Sequence, residues 1–123
     1  MPVVRVTLFF CSVSLFIGAM VSPAIAGPVA VNFKKDIKPI FDKSCVGCHN
    51  KEDKDGKLDL STIAGIKRGG QSGKLFLAGK GSKSLIIKRL KGQTGSVMPM
   101  GGDPLKPAQI SLVSRWIDEG AKM

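Results

Sequence analysis

Cys45-Val46-Gly47-Cys48-His49 is the stretch that decides how this chain is read. Two thiols three residues apart, followed at once by an imidazole, make a C-x-x-C-H run. If the run is helical, Cys45 and Cys48 lie on one face. Both thiols then reach the two vinyl groups along one porphyrin edge and form thioethers. His49 follows on the same turn, so its imidazole can stand under the iron as proximal ligand. The run is therefore read as the attachment site of one covalent haem c. Rival chemistries find little support around it. The only other cysteine is Cys11, and His49 is the single histidine. A structural zinc site normally needs four ligands, often as two separated pairs. A thioredoxin-like motif wants a βαβ setting that this glycine-rich chain does not suggest. A Cys45–Cys48 disulfide is chemically possible outside the cytoplasm but leaves the rest of the pattern unexplained.

Upstream, Met1-Pro2-Val3-Val4-Arg5 carries one early positive charge, and an apolar run follows from Val6 to Val21. Ser22-Pro23-Ala24-Ile25-Ala26 then places small residues at 24 and 26. Charged start, apolar middle and A-x-A end are the parts of a secretory signal. The apolar run is short for a membrane span and is interrupted by Ser12, Ser14 and Gly18. Residues 1–26 are therefore expected to be a cleaved signal peptide, and residues 27–123 a single soluble domain of 97 residues in the periplasm. Cys11 leaves with the signal and lacks the preceding small residues of a lipid-attachment site. No stable membrane insertion is expected after cleavage. A domain this small buries a modest core. A porphyrin would add a large apolar surface, so the haem-free chain is expected to be unfolded or molten.

The domain reads as all-α with long loops. Phe33, Ile37, Ile40 and Phe41 form a helical stripe within residues 33–49, with Asn32 as N-cap. Pro39 either opens a helix that starts late or kinks a longer one. Residues 50–57 (NKEDKDGK) read as a solvated loop, too poor in acidic positions for an EF-hand. A short helix or turn is expected in 58–68, followed by the glycine-rich Gly69-Gly70-Gln71-Ser72-Gly73. Lys74 is followed by Leu75 rather than Ser or Thr, so this is no phosphate loop. Its glycines admit two readings, a backbone passing close to a flat cofactor or a flexible loop. Residues 84–91 (SLIIKRLK) predict a helix that starts near Ser82 or Ser84. The last helix has Pro107 at its start, Gly120 past its end, and Ile110, Val113, Trp116 and Ile117 three or four apart. Its stripe needs a partner, and the first helix offers the only comparable one. The terminal helices are predicted to cross, with Trp116 in the core of the crossing rather than clamping a cofactor.

A thioether on the far side of the iron would raise the potential and close the site to exogenous ligands. Met123, the final residue, is expected to fray. Met98-Pro99-Met100 lies in a loop between the haem motif and the last helix, and spacing barely separates its two methionines.

At this point the residues resemble a known family, the small planctomycete-type cytochrome c domains. The likeness runs through Phe33–Phe41, Cys45–His49, Gly56-Lys57-Leu58-Asp59-Leu60, Gly69–Gly73, Ser84-Leu85, the Met-Pro loop and Trp116–Ala121. It implies a cytochrome c-like fold with crossing N- and C-terminal helices around one covalently bound haem. It also implies Cys45 and Cys48 as thioether sites, His49 as proximal iron ligand and Met98 as distal ligand. Two departures stand out. The family usually has Met-Pro-Pro, so Met100 remains a rival to Met98, and Ala78-Gly79 replaces a frequent Pro-Gly.

The chain carries 19 Lys and Arg against 9 Asp and Glu, a net charge of +10 that falls to +9 without Arg5. Lys34, Lys35, Lys38, Lys43, Lys74, Lys80, Lys88, Arg89 and others spread over several segments. One reading is plain solvation. The other is a basic rim at the haem edge that steers docking onto acidic redox partner proteins. Specific nucleic-acid binding has no motif or aromatic platform behind it. The expected function is a monomeric electron carrier, cycling between ferric and ferrous iron with His/Met ligation and no enzymatic chemistry. Two alternatives remain: an open-site haem protein with peroxidatic or gas-binding activity, and a haem subunit of a larger oxidoreductase. Arg68, Gln71 and Arg89 are candidates for contacts to the propionates.

Overall fold

Asn32 opens the first helical segment in the computed structural model, which describes Met1, Val3, residues 27–53 and residues 55–123. The expected signal peptide, residues 1–26, lies outside the described residues apart from Met1 and Val3. Asn32 Oδ1 accepts the Lys35 N–H at 3.0 Å. The chain then makes one wide π-helical turn, Phe33–Ile37, before α1, Lys38–Ser44. Pro39 explains the join. It has no N–H to give to Lys35, and its ring would press on that carbonyl in a regular helix. The wide turn, in which Lys38 N–H reaches Phe33 O, leaves Pro39 in the first turn of α1. Three further helices follow: α2, Ile63–Arg68; α3, Leu85–Leu90; and α4, Pro107–Asp118. Short 3₁₀ turns occupy Asp55–Lys57 and Gly81–Lys83. Among the described residues there is no strand; Gly70 and Gly73 form an isolated bridge. The architecture is all-α.

The two terminal stripes meet as their spacing predicts. Phe33, Ile37, Ile40 and Phe41 are buried, as are Val113, Trp116 and Ile117. The Trp116 ring lies 5.5 Å from that of Phe33 and 6.2 Å, edge-on, from that of Phe41. Its indole Nε1 donates to Lys122 O at 2.9 Å, so burial leaves no polar atom unpaired. Helix α4 also holds the chain that precedes the first helix. Arg115 donates to Val29 O at 2.6 Å, and Glu119 accepts the Val31 N–H at 2.7 Å. Its end is a Schellman turn: Gly120 N–H bonds Ile117 O at 3.0 Å and Ala121 N–H bonds Trp116 O at 2.9 Å. Gly120 supplies the φ of +97° that this turn requires.

Two details differ from the sequence reading. Ser84 precedes α3 but does not cap it. Its hydroxyl is fully buried, donating to Lys80 O and accepting the Leu77 N–H, each at 2.9 Å. It closes the 77–84 loop instead. Met123 does not fray; it is half-buried against the core.

Asp59 is a buried carboxylate that anchors the start of α2. It accepts from the Ser61 hydroxyl at 2.6 Å, the Ser61 N–H at 2.9 Å and the Thr62 hydroxyl at 2.9 Å. Thr62 in turn caps Gly65 N–H at 3.0 Å. The Ser61 hydroxyl is the main influence holding the Asp59 carboxyl below its ordinary 3.8, with help from Thr62 and Arg68 and against the effect of burial. A lowered native value means the carboxylate stabilises the fold above its unfolded value and loses that contribution as pH falls. Asp59→Asn is therefore expected to lower the melting temperature at neutral pH and to flatten its fall below 3.8. Melting curves of both proteins across that range check this, and parallel curves would contradict it.

Candidate haem site

Helix α1 does not run through the C-x-x-C-H motif, as the 33–49 stripe had suggested; it stops at Ser44. Cys45 and Val46 both donate to Phe41 O, at 2.9 and 3.0 Å, which closes the helix. The motif then forms its own turn. Cys48 N–H and His49 N–H both reach Cys45 O, at 3.2 and 2.9 Å. The two thiols and the imidazole thus remain within one turn, as the attachment chemistry requires.

The loop after the motif fixes the imidazole. His49 Nδ1 lies 2.8 Å from Asp55 O. A carbonyl only accepts, so Nδ1 carries the proton and Nε2 keeps its lone pair for a metal. Asn50 shapes this loop: its Oδ1 accepts the N–H groups of Glu52 and Asp53, each at 2.8 Å, and its amide donates to Val46 O at 2.8 Å. On the far side Leu60 N–H holds His49 O at 2.9 Å. Residues 50–57 read as a plain solvated loop in sequence, and the Asp55 carbonyl was invisible there because any residue supplies one. Asn50, a residue prone to such turns, was the only available signal.

Cys45, Cys48, His49, Met98 and Met100 all line one cavity of about 750 Å³. That volume falls inside the ~300–1,000 Å³ usual for cofactor sites. Leu58, Leu60, Leu75, Leu90, Leu105 and Val113 supply apolar walls. Met98 is half-buried, and its N–H is tied to Arg89 O at 3.2 Å; Met100 is 64 % exposed. Of the three candidate propionate contacts Arg89 lines the cavity, while Arg68 and Gln71 do not. The guanidinium of Arg89 lies in the space that a Cβ on Gly95 would occupy.

Of the two readings of the glycine-rich stretch, the structure favours the close approach: Gly70, Ser72 and Gly73 line the cavity. Gly69 ends α2 at φ +77°, and a Cβ there would run into Gly73 O. A Cβ on Gly70 would stand 2.7 Å from Gly56 O. These glycines let the chain approach its own backbone, which makes the loop tight rather than flexible.

The residues fit a haem c. Both cysteines are free thiols, and burial pushes the Cys45 thiol up to about 11. It is therefore a poor thiolate for redox exchange or zinc, whereas a thioether has no charge for burial to penalise. Among the described residues no three His, Cys, Asp or Glu side chains gather to hold a metal ion by themselves.

An apolar-walled cavity with a C-x-x-C-H turn and a free imidazole nitrogen at its edge defines a c-type haem-binding domain. Residues 45–100 match the model of the Planctomycete cytochrome C family, and this stretch is a cytochrome c domain of that type. A domain of that family implies covalently bound haem c. No curated protein is significantly similar to it. Among solved structures it is similar to Kuenenia stuttgartiensis hydrazine synthase, at 23% identity and a TM-score of 0.46 over 74% of this chain. The chain spans 16% of that much longer protein.

Proposed function

We propose that this protein is an exported, monomeric electron carrier with a cytochrome c-like fold and one haem c. The signal-like residues 1–26 support export to the periplasm, where such haems are attached. The observation that carries the reading is that one apolar cavity gathers the attachment turn, an imidazole with a free Nε2 and a half-buried thioether. The haem supplies a one-electron ferric/ferrous couple. Cys45 and Cys48 hold it by thioethers. Asp55 O keeps the His49 ring in the tautomer and orientation of a proximal ligand. Met98 provides the second axial ligand; it is preferred to Met100 because its side chain is already withdrawn from water and its backbone is tied down. The apolar walls exclude water and so favour the less charged, ferrous state. With both axial positions filled by the chain, no position remains for a substrate, and the protein acts without bond chemistry.

Absorption spectra of the matured protein with and without carbon monoxide test this. A low-spin spectrum in both oxidation states, unmoved by carbon monoxide, is expected. A high-spin protein that takes up carbon monoxide would overturn the carrier reading in favour of an open site.

A further inference from the structure

A second groove, of about 580 Å³, lies between α2, the 74–80 loop and the C-terminal residues. We propose that it is the docking site of an acidic protein partner that presents carboxylates around an apolar side chain. The inference rests on the electron-carrier reading, which requires a partner.

The groove has an apolar floor of Ile66, Leu75, Phe76, Ala121 and Met123. Lys67, Lys74, Lys80 and Lys122 border it, all exposed, and no Asp or Glu side chain lines it. The two carboxylates that adjoin its lining in sequence are engaged elsewhere: Glu119 pairs with Arg115 at 3.1 Å, and Asp118 accepts the Gly81 N–H at 2.7 Å. None of the four lysines has an ion-pair partner among the described residues. The haem cavity contrasts with this: its charged lining is mixed, with Lys43 and Arg89 beside Asp55. An apolar floor ringed by four unpaired cations selects an anionic surface with a hydrophobic centre.

The groove also lies next to the haem cavity. Leu75 lines both cavities. Phe76, in the groove, packs edge-on against Trp116 at 5.2 Å. Trp116 packs against Phe41 at 6.2 Å, and Phe41 lines the haem cavity. A partner seated in the groove is therefore joined to the haem cavity by continuous close packing, without reaching the open edge.

A plant-type [2Fe–2S] ferredoxin, an acidic redox protein, serves as the probe. Its binding to the haem-loaded protein is measured by titration calorimetry at low salt, and the contact is mapped by amide chemical shifts. Shifts are expected at residues 66–67, 74–80 and 120–123. Lys74→Glu/Lys80→Glu is expected to weaken binding on the order of tenfold, an effect that shrinks with added salt. Lys34→Glu/Lys35→Glu makes the same charge change away from both cavities and is expected to cost less than about threefold. Absent binding, shifts centred on residues 98–102, or equal loss in both variants would overturn the proposal. So would charge-dependent retention on phosphatidylserine vesicles without ferredoxin binding, which would mark a membrane surface instead. Reduction by dithionite and reoxidation by ferricyanide are followed separately. Failure there strikes the carrier reading, while the mapped contact stands or falls on its own.

Discussion

Met98→Ala converts the protein to a high-spin form that binds carbon monoxide when reduced, whereas Met100→Ala leaves it low-spin and closed. This contrast is expected because the two methionines, nearly equivalent in sequence, differ in place. Met98 is half-buried in the cavity and hydrogen-bonded through its N–H to Arg89 O at 3.2 Å. Met100 lies 64 % exposed at the mouth. Removing the Met98 thioether leaves that backbone bond intact, so the loop should persist and the change should stay local. Loss of a neutral sulfur ligand also lowers the reduction potential, by on the order of 0.1–0.3 V within the ~0.8 V range that axial ligands command. Spectra and voltammetry of the two variants check this. Loss of the low-spin signature in Met100→Ala alone would reassign the ligand.

Cys45→Ala/Cys48→Ala is expected to abolish covalent haem and, with it, the fixed tertiary structure. The cavity of about 750 Å³ is walled by side chains that otherwise form one continuous core. Leaving even a quarter of it as a void costs roughly 4–5 kcal/mol at ~24 cal/mol per Å³. The whole stability of a small domain is ~5–15 kcal/mol. Without the haem, Leu58, Leu60, Leu75 and Leu105 have no partner across the cavity. Helical far-ultraviolet circular dichroism with little near-ultraviolet signal is the expected result. A cooperative, native-like transition in this variant would show that the chain fills the cavity by itself.

How much of this was legible in the sequence depended on how local the cause was. Asn32 as N-cap, Pro107 and Gly120 at the two ends of α4, and the stripe through Trp116 were readable because each acts through spacing along a few residues. The position of Pro39 was readable only as a choice, since the wide turn that admits it depends on packing. Ser84 looked like a helix cap and instead closes the 77–84 loop, because Lys80 O and Leu77 N–H reach it first. The self-approach at glycines 69 and 70 was not readable, because their neighbours, at 73 and 56, come from chain folding back on itself. At the site, side-chain identities named the attachment turn and its methionine candidates. The Asp55 carbonyl that orients His49 is backbone, and composition says nothing of it. Choosing between Met98 and Met100 required their burial, a property of the folded loop.

The central claim is that Cys45 and Cys48 hold a single haem in this cavity. Its most direct test is the intact mass of the protein recovered from cells that mature c-type cytochromes, measured after denaturation. The mass of residues 27–123 plus one haem is the predicted result. The mass of the polypeptide alone, with both thiols open to alkylation, would contradict it.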